Sequence, residues 1–234
     1  MRSVMEEKIN RIVEIIISSV KPFQLMLGKI IGVAGVGLTQ FLIWGLALTF
    51  IQIVLVPFFI AGAPAPDVSS VDTAQTEEIM GQAMAIMEAF EQQNWTLILP
   101  MIIIYFLGGY FIYASLFAAV GSAVGEDQGE AQSLLLPIML PIIVALVIST
   151  SMISNPNSSL AVFGSIFPLF SPIVMPARLA FDPPVWEVVL SVVVLFASAL
   201  FFVWLSARIY RVGIFMYGKK PSFKEIAKWM FYKG

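Results

Sequence analysis

LAVFGSIFPLFSPIVMPARLAF, residues 160–181, is the stretch whose reading decides the fold. Its 22 residues are apolar and long enough to cross a bilayer, yet they include Arg178 and prolines at 168, 172 and 176. Read as a span, the segment makes one of five crossings and puts the two basic ends of the chain on opposite sides of the membrane. Read as a segment that does not cross, it leaves four crossings. Arg2, Lys8, Arg11, Lys21 and Lys29 then share a side with Arg208, Arg211, Lys219, Lys220, Lys224, Lys228 and Lys233. That arrangement places 12 of the 13 basic residues on one side and leaves only Arg178 on the other, as the bias of Lys and Arg toward the cytoplasm requires. The segment is therefore expected to be a broken, re-entrant or interfacial helical pair on the outer side, tolerated because protein covers it.

Outward from this segment, long uncharged runs mark the crossings. Val188 to Ala207 is a run of twenty uncharged residues between Glu187 and Arg208. Ala131 to Asn155, interrupted by Pro137 and Pro141, reads as a kinked span. Trp95 to Gly125 opens at an aromatic anchor suited to the interface. The run from Ile30 is apolar as far as about residue 60. The expected spans are 30–60, 95–120, 132–154 and 188–207. Residues 61–94 and 155–187 are expected outside the membrane, and 208–234 forms a basic amphipathic tail in the cytoplasm. Asp67 to Asn94 holds six acidic residues and no Lys or Arg. The expected fold class is all-α, a single polytopic membrane domain over 1–234 with both termini cytoplasmic.

Composition agrees. Hydrophobic residues make up 59% of the 234-residue chain and charged residues 12%, half the usual share of a soluble domain. The net charge of −2 leaves no basic face for nucleic acid. Cysteine and histidine are both absent, which removes thiol and imidazole nucleophiles, their metal sites and disulfides together. Glu6, Glu7 and Glu14 interrupt what would have to be the apolar region of a signal peptide, so Met1 is read as the start of the chain proper. No Asp, Glu, Lys or Arg falls inside the four expected spans, which disfavours a proton relay. Ser115, Ser149, Ser151 and Ser191 have no intramembrane base to activate them, and no GxxxxGK[ST] loop occurs. No catalytic, metal or cofactor site is expected in the chain, and any nucleotide must be bound by another polypeptide.

Residues 5–20 have helical amphipathic spacing. Met5, Ile9, Ile12, Val13, Ile16 and Val20 share one face, while Glu6, Glu7, Asn10, Arg11, Glu14 and Ser18 share the other. Glu7 and Arg11 suit an i,i+4 pair, and Pro22 ends this helix and opens the next. The helix is either an anchor on the membrane surface or a lever pressed on a cytoplasmic motor. Gly28 and Gly32 have the spacing of a close-packing helix face. Thr39, Gln40, Thr49, Gln52, Tyr105, Tyr110 and Tyr113 either line a transport path or hydrogen-bond between helices; the path candidates are Gln40, Gln52, Tyr105 and Tyr113.

Four blocks resemble the permease subunits of type-2 ABC exporters, in particular the bacterial sodium-extrusion-like branch. They are EEKINRIVEIIISSVKPFQLMLGKIIG (6–32), YFLGGYFIYASLFAAVGSAV (105–124), NPNSSLAVFGSIFPLFSPIVMPAR (155–178) and ARIYRVGIFMYGKKPSFKEIAKW (207–229). The resemblance implies that Glu6 to Val20 is a coupling helix whose Glu6, Glu7, Lys8, Arg11 and Glu14 meet a nucleotide-binding ATPase subunit. It implies ATP and Mg on that partner, a second permease copy or related chain, surrounding lipid, and a bacterial cytoplasmic membrane. Members of the branch carry two further spans and a large extracytoplasmic domain before the coupling helix, so the chain resembles the C-terminal half of such a permease. The implied activity is efflux of a sodium ion, a small molecule or a lipid, driven by ATP hydrolysis on the partner. The rival reading is a membrane scaffold that transports nothing.

Overall fold

The computed structural model describes residues 2–9, 12–17, 19–55, 58, 81, 93–124 and 128–216. Among these residues every regular element is helical. The order is α1 (Arg2–Ile9), α2 (Ile12–Ile17), α3 (Pro22–Phe50), α4 (Trp95–Ala123), α5 (Gln128–Ser151), α6 (Ser159–Ile166), α7 (Ser171–Arg178) and α8 (Val185–Gly213). A π-helical turn, Ile51–Leu55, continues α3, and a 3-10 turn, Leu179–Phe181, follows α7.

Helices α3, α4, α5 and α8 are long and apolar enough to cross a membrane. Their 24 to 29 residues span about 36 to 44 Å at 1.5 Å per residue, against a hydrocarbon core of ~30 Å. Leu136, Leu140, Val193 and Leu200 stand more than half exposed, a surface that suits lipid and not water. The chain is a multi-pass membrane protein.

The chain divides into two compact units, Met1–Ala34 with Thr96–Gly234, and Gly35–Trp95. In the smaller unit the second half of α3 turns two threonine hydroxyls back onto its own carbonyls, Thr39 to Gly35 at 2.9 Å and Thr49 to Gly45 at 2.8 Å. These bonds satisfy hydroxyls that would otherwise be costly in lipid.

In the larger unit residues 160–181 do not form one crossing helix. They fold as α6 and α7, each eight residues and about 12 Å long, broken at Phe167–Phe170. Ser158 caps α6 by accepting the Ala161 amide at 3.2 Å, and Pro172 sits in the first turn of α7, where its missing N–H is harmless. Phe163, Phe167 and Phe170 pack together at the break, with ring centroids 4.8 to 6.3 Å apart. Both short helices pack against α5 and α8. Glycines permit the closest approaches. A Cβ at Gly109 would lie 2.5 Å from Pro172, and one at Gly108 would lie 2.5 Å from Leu195.

Arg178 holds this pair in place. It is 1% exposed and ion-paired with Glu187, itself 6% exposed in the first turn of α8. Its guanidinium also donates to the Pro156 carbonyl (2.9 Å), Ser165 Oγ (3.0 Å) and Asn157 Oδ1 (3.3 Å). Ser191 closes the contact by donating to the Ser165 carbonyl at 2.6 Å. One arginine thus ties the loop before α6, α6 itself and α8 to α7. Removing one partner of a buried pair strands the other charge, which costs about 3–5 kcal/mol. Arg178→Met and Glu187→Met are each expected to lower thermal stability in detergent by an amount in that range, and the double variant to regain most of the loss. Equal, additive losses in a double-mutant cycle would show that the pair is not coupled.

Candidate coupling element and transport groove

The amphipathic stretch expected as a helix over 5–20 is helical at Arg2–Ile9 (α1) and Ile12–Ile17 (α2), and residues 10 and 11 lie outside the described residues. Val4 inserts into a buried cluster with Met26 and Ile30 of α3, Ala118 of α4, and Tyr210 and Ile214 at the end of α8. Met5 packs on Val124 and Leu134, where α4 gives way to α5.

Lys8 is the decisive contact. It lies on the inner side of α1, 2% exposed, with its Nζ donating to the carbonyls of Ser122 (2.6 Å), Ala123 (3.3 Å) and Gly213 (2.8 Å). These are carbonyls at the C-termini of α4 and α8, which have no partner within their own helices. A lysine at a helix C-terminus also meets the negative end of the helix dipole, and here two such ends converge on one ammonium. Convergence depends on Gly213, since a Cβ there would fall 2.8 Å from Ser122 Oγ.

The other coupling candidates are placed differently. Glu6 is exposed, whereas Glu7 is half-buried and ion-paired with Lys29 of α3. Glu14 falls on α2, and Arg11 lies outside the described residues, as does the expected tail from Lys219 to Lys233. Of the coupling candidates, Lys8 is therefore spent inside the chain and Glu7 is joined to the first long helix.

Tyr105 and Tyr113 line one groove of about 680 Å³ with Lys29, Phe106, Tyr110 and Pro172. Their hydroxyls do not point free into it. Tyr113 donates to the Leu169 carbonyl at 2.5 Å, Tyr110 to the Ile30 carbonyl at 2.9 Å, and Tyr105 to the Val188 carbonyl at 3.4 Å. Each tyrosine joins α4 to a different neighbour and leaves a mostly apolar wall behind. Gln40 and Gln52 belong to the smaller unit, Gln40 exposed on α3 and Gln52 in the π-helical turn. A Cβ at Gly28 or Gly32 would meet nothing within 4 Å, so among the described residues that glycine face is open. Among the described residues no three His, Cys, Asp or Glu side chains come together as a metal site would need.

Comparison with known proteins accords with this architecture. The description "ABC-2 family transporter protein" belongs to a family whose profile matches residues 1–208. The chain belongs to the ABC-2 family of transporter proteins. It is 28% identical over 221 residues to the uncharacterized protein YhaP of Bacillus subtilis, covering 94% of this chain and 48% of YhaP. It is 25% identical over 232 residues to the uncharacterized protein MJ1024 of Methanocaldococcus jannaschii, covering 99% of this chain and 49% of that protein. The chain thus spans about half the length of these curated relatives. No solved structure matches it.

Burial lowers the Lys8 pKa from 10.5 to about 8, because desolvation penalises the ammonium. The folded chain therefore binds fewer protons than the unfolded chain between pH 8 and pH 10.5, and stability contributed by this site should rise with pH across that window. Lys8→Met removes the ammonium from three carbonyls, of which that of Gly213 still accepts the Met216 amide, and is expected to cost about 2 kcal/mol near neutral pH while abolishing that rise. Thermal unfolding of the two proteins across pH 7 to 11 checks both expectations, on the scale set by these pKa values. Parallel curves would remove Lys8 from the buried site.

Proposed function

We propose that this ABC-2 family chain is a permease subunit of an ATP-driven exporter, in which α1 and α2 form the element that receives force from a separate nucleotide-binding ATPase. ATP and Mg belong to that ATPase, and the permease contributes no catalytic residue. The observation that carries the proposal is the Lys8 contact with the C-termini of α4 and α8. A force on α1 is delivered through it to two crossing helices together, as a rigid-body change between inward-facing and outward-facing packings requires.

On the resemblance of its sequence blocks we read the chain as corresponding to the C-terminal half of a sodium-extrusion-like permease, completed by further spans and by a second permease chain; the relatives it matches are about twice its length. In the bacterial cytoplasmic membrane, the distribution of basic residues supports cytoplasmic termini and an outer, re-entrant α6–α7 pair. The groove beside Tyr105 and Tyr113 is the candidate path for a sodium ion, a small molecule or a lipid. Glu6 is the exposed residue of the coupling face.

Glu6→Arg is expected to reduce co-purification with the partner nucleotide-binding ATPase and to uncouple ATP hydrolysis from efflux, with membrane insertion and thermal stability unchanged. Retention of both ATPase binding and coupled efflux in this variant would favour α1 as a surface anchor. Failure of the unaltered chain to bind the ATPase would favour the scaffold reading.

A further inference from the structure

A second cavity, of about 650 Å³, lies between the start of α3 and the last third of α8, apart from the tyrosine groove. Its apolar wall includes Phe23 and Leu200, and its rim carries Lys21, Arg208 and Arg211, with no acidic side chain among the described lining residues. All three cations are exposed, and the Arg208 guanidinium lies 4.3 Å from the Trp204 ring centroid. That contact orients the guanidinium and keeps its charge.

The order of residues along α8 specifies the ligand. Leu200, Trp204, Arg208 and Arg211 line the same cavity over twelve residues, about 16 Å of helix rise, close to half the thickness of the hydrocarbon core. The sequence apolar, aromatic, cationic follows the depth order of one leaflet: acyl chain, glycerol interface, phosphate. A soluble anion has no use for the apolar wall, and a neutral apolar ligand has no use for three cations. A molecule with both parts is a phospholipid whose head group carries net negative charge.

We propose that this cavity is a binding site for an anionic phospholipid of the surrounding bilayer. Its phosphate sits among Lys21, Arg208 and Arg211, and an acyl chain lies along Leu200 and Phe23. Bound there, the lipid bridges the first and last crossing helices at their basic ends.

The test is native mass spectrometry of the full chain in detergent, titrated with dioleoylphosphatidylglycerol or dioleoylphosphatidylcholine. Phosphatidylglycerol is expected to be retained preferentially. Lys21→Gln with Arg208→Gln and Arg211→Gln should weaken its binding about 100-fold and leave phosphatidylcholine binding unchanged, whereas Lys21→Arg with Arg208→Lys and Arg211→Lys should stay within about threefold of the unaltered chain. Leu200→Trp fills the apolar wall and should also weaken phosphatidylglycerol binding, which decides the matter if the glutamine variant does not fold. Equal retention of the two lipids, or unaltered phosphatidylglycerol binding in the glutamine variant or in Leu200→Trp, would overturn the proposal. So would displacement of the lipid by inorganic phosphate at equal concentration, which marks a head-group anion site alone, or a chain dimer from which phosphatidylglycerol is excluded, which marks an interface between copies.

Discussion

The larger unit depends on what happens to helix C-terminal carbonyls at the end of a bundle where water is scarce. Helices α4 and α8 end side by side, and the carbonyls of their last turns lack the partners that a continuing helix would supply. Lys8 meets three carbonyls with one ammonium, so acceptors from two helices and two helix dipoles offset part of the cost of burying a charge, and desolvation still lowers its pKa. The same contact holds α1, which also presents Val4 and Met5 to the core and pairs Glu7 with Lys29. Removing the lysine would loosen three elements together.

Helix α8 is held in a related way at its other end. Arg178 pairs with Glu187 in its first turn, where a carboxylate also suits the positive end of the dipole. Each end of a helix about 44 Å long is thus tied to a short helix by a buried cation. Between those ends the contacts are apolar and close, with Leu195 against Gly108. Dispersion and small residues suffice in mid-membrane, while the helix ends use charge because backbone polar groups there lack partners.

Much of this was legible in the sequence. Charge-free runs between charged clusters marked the four long helices, and the prolines at 168, 172 and 176 marked residues 160–181 as broken. Charge alone placed their limits poorly: α3 begins at Pro22 and contains Lys29, since that lysine is paired with Glu7 and need not stop a helix. The family resemblance put Lys8 among residues expected to meet a partner, because sequence similarity cannot tell a cation facing solvent from one covering the ends of other helices. Those ends lie 114 and 205 residues away in the chain. Arg178 and Glu187 were visible as charges flanking a span, but their pairing needs the α7 turn to bring them together. Glycine spacing likewise did not separate Gly108 and Gly109, which are closely packed, from Gly28 and Gly32, which are open.

The central claim is that α1 and α8 behave as one body because Lys8 joins them. The chain lacks cysteine, so spin labels at Glu6→Cys and Val193→Cys report a single distance in lipid nanodiscs. Both sites are exposed, and neither touches the Lys8 carbonyls or the lipid cavity. Pulsed electron–electron resonance should give one narrow distribution with lysine at position 8 and a broad one with Lys8→Met. A broad distribution in the presence of Lys8, or the same narrow one without it, would contradict the account.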